Sequence, residues 1–171
     1  MLTELRLQNF KSWVDTGPIR LAPLTVIFGG NSAGKSSLGH LLLALKQTAL
    51  STDRKRALNL GDASTLVDLG TFADSLYGHD LSRKLTFDLA WRLPKPLEIR
   101  NAVQTRQRFI GDNLALHATL SADPRTSQPR TELLSYTLSA NEEIQLTVTA
   151  SSKGNKYSLD ATPMSLVRSQ G

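Results

Sequence analysis

The residues Gly29-Gly30-Asn31-Ser32-Ala33-Gly34-Lys35-Ser36 fill every fixed position of the pattern G-x-x-x-x-G-K-[ST]. The chemistry this spacing serves is the gripping of a phosphate chain. Successive backbone N–H groups can wrap an anion only where glycine removes a colliding Cβ or permits positive φ. A helix starting at Lys35 would add unpaired donors and a partial positive charge aimed at the same anion. Lys35 would supply a mobile cation for the β and γ oxygens and is the candidate catalytic group. The Ser36 hydroxyl would be one ligand of a Mg²⁺ otherwise held by phosphate and water. The candidate site is therefore residues 29–37, namely Gly29, Gly30, Asn31, Ser32, Ala33, Gly34, Lys35, Ser36 and Ser37, with ATP and Mg²⁺ as cofactors. A glycine-rich turn that binds nothing would have no folding reason to place Lys-Ser after its last glycine.

Such a loop must sit between a strand and a helix, and the flanking residues read that way. Leu24-Thr25-Val26-Ile27-Phe28 is a continuous, β-branched run that stops at Gly29, as expected of a strand buried on both faces. From Lys35 onward Leu38, Leu41, Leu42, Leu45 and Ala49 mark one stripe of an amphipathic helix. Before the loop, Leu5 and Leu7 alternate with Arg6 and Gln8 as in a half-buried strand, and Gly17-Pro18-Ile19-Arg20 opens a second. Residues 51–84 are punctuated by Gly61, Gly70 and Gly78 and predict loops with one short helix between Phe72 and Tyr77. Beyond them four alternating segments, around Leu85 to Trp91, Leu114 to Leu120, Leu134 to Leu138 and Ile144 to Val148, predict antiparallel strands. A turn over 151–156 leads to a last strand near Tyr157 to Asp160, and prolines 94, 96, 124 and 129 fall between the apolar runs.

The 171 residues suit a single domain with a core of its own. With no cysteine, disulfides, thiolate metal sites and cysteine nucleophiles are all excluded. No apolar run approaches a membrane span and the N-terminus lacks an apolar signal core, so a cytoplasmic location and no membrane partner are expected. The net charge of +5 biases the surface toward polyanions without naming one.

The chain resembles the N-terminal part of ABC-type ATPases of the OLD, RecF and SMC-like group. The resemblance is carried by Asn9-Phe10-Lys11-Ser12 after a first strand, by the loop ending in Gly34-Lys35-Ser36-Ser37, and by the stretch from Leu60-Gly61-Asp62 through Leu69-Gly70, ending near Gly78-His79-Asp80. It runs from Met1 to about Trp91 and is weak beyond, with a closer likeness to bacterial OLD-like ATPases, some found in anti-phage defence loci. It implies that Lys11 and Ser12 lie near the nucleotide, although an ordinary exposed strand end explains them equally well. It also implies that hydrolysis takes place between two heads and drives DNA transactions or phage defence.

The expected fold is thus α/β: a strand–P-loop–helix lobe over 1–50, a connecting segment 51–84, an antiparallel β-subdomain 85–161 and a tail 162–171. The head would be incomplete, because four apolar residues followed by Asp-Glu, the strand that holds Mg²⁺ and orients water, do not occur. Leu85-Thr86-Phe87-Asp88 comes nearest and reads better as an amphipathic strand. The signature helix is missing too, and Leu138-Ser139-Ala140-Asn141-Glu142 is explained by a hairpin turn. The chain is expected to bind nucleotide but turn it over poorly. A second copy or a partner chain would complete the head, whether this is the N-terminal lobe of a longer protein or a truncated product.

Other residues carry less. Gln47 lies about 16 Å along the helix from Ser36 and is too far to sense the same metal. Asp62 and Asp68 fit a solvated loop, and His40, His79 and His117 share no ligand spacing. Between Arg92 and Arg108 five cations face one acid, Glu98, which suits a solvated loop or a sequence-indifferent DNA contact. Two alternatives stay open: a non-catalytic nucleic-acid-binding module, and a P-loop kinase acting on a small molecule, which would need an acceptor site and repeated strand-helix units.

Overall fold

The computed structural model describes residues 1–53, 55–153 and 156–166. In chain order the elements are β1 (Leu2–Phe10), β2 (Trp13–Asp15), β3 (Ile19–Arg20), α1 (Lys35–Leu50), α2 (Phe72–Ser75), β4 (Leu85–Arg100), β5 (Arg108–Ala122), β6 (Pro129–Ala140), β7 (Glu143–Lys153) and β8 (Lys156–Thr162), with one 3-10 turn at Tyr77–His79. The strands form one sheet in the order β2-β1-β4-β5-β6-β7-β8, with β3 also on β1. Every pairing is antiparallel.

This overturns the α/β expectation. Among the described residues the molecule is mainly an antiparallel sheet carrying one 16-residue helix and one of four residues. The expected strand before the loop is the point of failure. Residues 22–30 form no strand and are exposed throughout, with Leu24 82% and Phe28 88% accessible. A parallel neighbour can be reached only by a crossover connection, whereas the chain leaving α1 runs through 51–84 and returns as β4, antiparallel to β1. No strand among the described residues lies beside 24–28, so its β propensity has no ladder to join.

Elsewhere local pattern and fold agree. The α1 stripe inserts Leu38, Leu41 and Ala44 between the sheet and the 51–84 segment, burying them with Leu5, Leu7, Leu58, Leu60, Leu69, Phe72, Leu76, Leu85 and Phe87. Each fully buried leucine contributes about 1.5–3 kcal/mol. Alternation puts Leu5 opposite Leu89 and Phe87 opposite Ala118 on that face, while Arg6, Asp88 and His117 share the other. Asp88 Oδ1 accepts from His117 Nδ1 at 2.6 Å there, which fits an amphipathic strand rather than a metal-holding one. A smaller cluster of Phe109, Leu138 and Leu146 holds the outer strands.

Only residues 101–107 of the basic stretch 92–108 form the expected loop. β4 continues to Arg100, and Pro94 and Pro96 fall where the β4–β5 register shifts between Arg92 and Leu97, so their missing donors coincide with a break in the ladder. Asn141 and Glu142, at φ 50° and 67°, make the two-residue turn between β6 and β7. The residues at the centre of the expected turn before β8, Gly154 and Asn155, lie outside the described residues, as do 167–171 of the expected tail. Among the described residues no helix is long and apolar enough to cross a membrane.

Candidate nucleotide-binding site

The loop leads directly into α1. Gly34 is its N-cap at φ 80° and ψ 9°, with no side-chain cap and no acidic residue in the first turn. The left-handed conformation costs an L-residue about 1–2 kcal/mol. A Cβ on Gly34 would also overlap the Ser12 hydroxyl and approach Trp13 Nε1. Glycine is therefore required here twice over, by conformation and by the close passage of the β1–β2 turn. The Gly34 carbonyl accepts from Trp13 Nε1 at 3.0 Å and from the Ser37 amide at 3.1 Å. The first-turn amides of a helix lack i−4 acceptors; here that of Ser37 turns to the Gly34 carbonyl, and no capping side chain answers the others.

Lys35 folds back over the loop, its ammonium donating to the carbonyls of Gly29 at 2.8 Å and Gly30 at 2.6 Å. Those carbonyls hold the cation beside the helix start, where a phosphate oxygen would compete for it. An open cleft of about 590 Å³ lies against this end of α1. One wall is Ser32, Ala33, Gly34, Lys35, Ser36 and Ser37, and Lys11 and Ser12 join them from the β1–β2 turn. The cleft thus brings together the loop and the two residues that the family resemblance singled out. Gly29, Gly30 and Asn31 stand outside its lining and shape the loop instead.

The opposite wall is Asp74, Leu76, Gly78 and His79, which sequence reasoning did not place near the loop. They arrive through long-range contacts: Lys11 N donates to Ser75 O at 2.9 Å, and Phe10 bridges to Leu76. No local pattern encodes that meeting, though the Thr71-x-x-Asp74 spacing is the signature of a capping box that fixes α2. Both halves of the box form: Asp74 N donates to Thr71 Oγ1, and Thr71 N donates to Asp74 Oδ2 at 2.8 Å. Hydrogen bonds from the Thr71 hydroxyl and amide hold the Asp74 carboxyl below its ordinary range, with smaller help from the charges of His79 and Lys11. His79 Nδ1 lies 3.5 Å from Asp74 Oδ1, and Lys11 Nζ donates to Leu69 O at 3.3 Å.

The residues present suit an anionic ligand better than a bare metal. Among the described residues no group of three or more His, Asp or Glu side chains could hold a metal ion. A Mg²⁺ here would rest on phosphate oxygens and water, with Ser36 as the protein ligand. It would supply charge neutralisation of the phosphates.

The remaining candidates serve the fold. Gln47 is 5% exposed and clamps the connecting segment: its Nε2 donates to Asn59 O at 2.8 Å and Val67 O at 3.1 Å, and its Oε1 accepts from Val67 N. Asp62 closes a turn on Ser64, and Gly70 N donates to the Asp68 side chain. At the β4–β5 end, Arg100 and Arg108 both meet Glu98, and Arg92 meets Asp112, so three of the five cations there have acidic partners. Compared with known protein-family profiles and with curated proteins, the chain matches none.

Proposed function

We propose that this chain binds ATP with Mg²⁺ at the cleft between the 29–37 loop and the Asp74–His79 wall, as the nucleotide-binding part of an OLD/SMC-like ATPase. The observation that carries the reading is the uncapped, acid-free start of α1 behind a left-handed Gly34, with the Lys35 ammonium held beside it. Backbone donors, helix dipole and a mobile cation converge there on one anion. In a complete head the same groups would stabilise charge on the transferring phosphoryl group. The strand carrying Asp-Glu and the signature helix would have to come from elsewhere, through a second copy or a partner chain, so turnover by these residues alone is expected to be slow. By resemblance, the work driven would be DNA transactions or phage defence.

The test is equilibrium binding of a slowly hydrolysed ATP analogue with Mg²⁺, measured by calorimetry on the chain and on Lys35→Ala. Charge-assisted hydrogen bonds are worth about 1.5–3 kcal/mol, so affinity should fall roughly ten- to 150-fold with the melting temperature unchanged. No heat of binding in the unaltered chain would sink the reading.

A further inference from the structure

Trp13 stands one residue past the resemblance motif and its indole donates to the carbonyl of the loop's last glycine at 3.0 Å. The Gly34–Lys35 peptide is trans and planar, so its carbonyl and the Lys35 N–H point in opposite directions. The carbonyl faces down α1, where it also accepts from Ser37 N, and both of its lone pairs are used. The Lys35 N–H therefore faces out of the helix start, on the end that lines the cleft. Gly34 itself, with φ 80° and no side chain, offers little resistance to rotation of this peptide. The indole adds a second anchor to this carbonyl, from outside the helix, beside the one from Ser37 N, and Ser12 and Trp13 pack so closely behind Gly34 that no Cβ fits.

We infer that Trp13 is a positioning residue for the phosphate site: its indole N–H fixes the Gly34–Lys35 peptide so that the Lys35 backbone amide is aimed at the bound anion. This rests on the nucleotide-binding reading above. It also makes the β1–β2 turn part of the site through a main-chain contact that the motif does not contain. Trp13→Phe keeps an aromatic ring against the core and removes the donor, so the fold is retained while the peptide loses its anchor.

The chain has two tryptophans, which makes the test self-controlled. Affinity for the ATP analogue with Mg²⁺ is measured on the unaltered chain, Trp13→Phe and Trp91→Phe, with thermal unfolding alongside. One neutral hydrogen bond predicts a two- to tenfold loss for Trp13→Phe, an unchanged melting temperature, and no loss for Trp91→Phe. In the ¹H–¹⁵N spectrum of the unaltered chain, the Trp13 indole cross-peak should move during the titration while that of Trp91 stays. Equal affinity for Trp13→Phe, or a stationary Trp13 cross-peak, overturns the inference and leaves nucleotide binding standing. A loss of affinity matched by a loss of stability assigns Trp13 to packing alone and also overturns it. No binding by the unaltered chain overturns both.

Discussion

Helices α1 and α2 begin on opposite walls of the same cleft and meet the problem of their unpaired first-turn amides in opposite ways. α2 has only four residues and answers with its own side chains, Thr71 and Asp74 exchanging hydrogen bonds across the first turn. α1 has sixteen residues and brings neither a capping side chain nor an acid to its start. The short helix has too few turns to sustain itself and adds the box to its core anchor, Phe72. The long one is secured by Leu38, Leu41 and Ala44 in the core and tolerates open donors at its end. The difference separates a helix start serving the fold from one free to serve a ligand.

The largest disturbance should come from Gly34→Ala, which forces a side chain into left-handed backbone and against Ser12 and Trp13. Unfolding in urea should show a loss of at least about 2 kcal/mol, with ATP affinity abolished. An unchanged urea midpoint would mean that the α1 start is not constrained as described. Thr71→Ala should cost about 1 kcal/mol of stability and leave ATP affinity within about twofold, since its cap answers only α2. If nucleotide affinity followed the cap, the two helix starts would not be separate devices.

The smallest effect concerns acid. Asp74 titrates in the folded chain below its ordinary value of 3.8, so the unfolded chain binds its proton first. The stability it adds is fully present above that value and is lost as pH falls through the lower folded value. Asp15, held low by Arg6, Gln8 and the Gly17 amide, acts in the same direction. In Asp74→Asn the acid-side fall of the urea midpoint should therefore be shallower than in the unaltered chain, though still present. α1, having no carboxylate at its start, adds nothing to that slope.

Much of this was legible in the residues because it is local. The 3.6-residue stripe of α1, the alternation in β4 to β7 and the turn at Asn141 and Glu142 are each set by near neighbours along the chain. Residues 24–28 have equally strong β character and stay out of the sheet, since a strand also needs a partner edge and the returning chain pairs with β1 instead. The loop wall of the cleft was readable from its motif. The wall bearing Asp74 and His79 was not, because the contact of Lys11 with Ser75 joins residues far apart in sequence. Trp13 was hidden for a similar reason: its partner, the Gly34 carbonyl, lies 21 residues further along the chain.

The Gln47 clamp has a geometric consequence. α1 is a rod about 24 Å long whose leading end forms one jaw of the cleft and whose trailing end grips Asn59 and Val67. The chain released from that grip reaches Asp74 within a few residues and builds the other jaw. One rigid spacer therefore sets both the position of the first jaw and the departure point of the second, so its far end shares with the Lys11–Ser75 contact in fixing the gap between them.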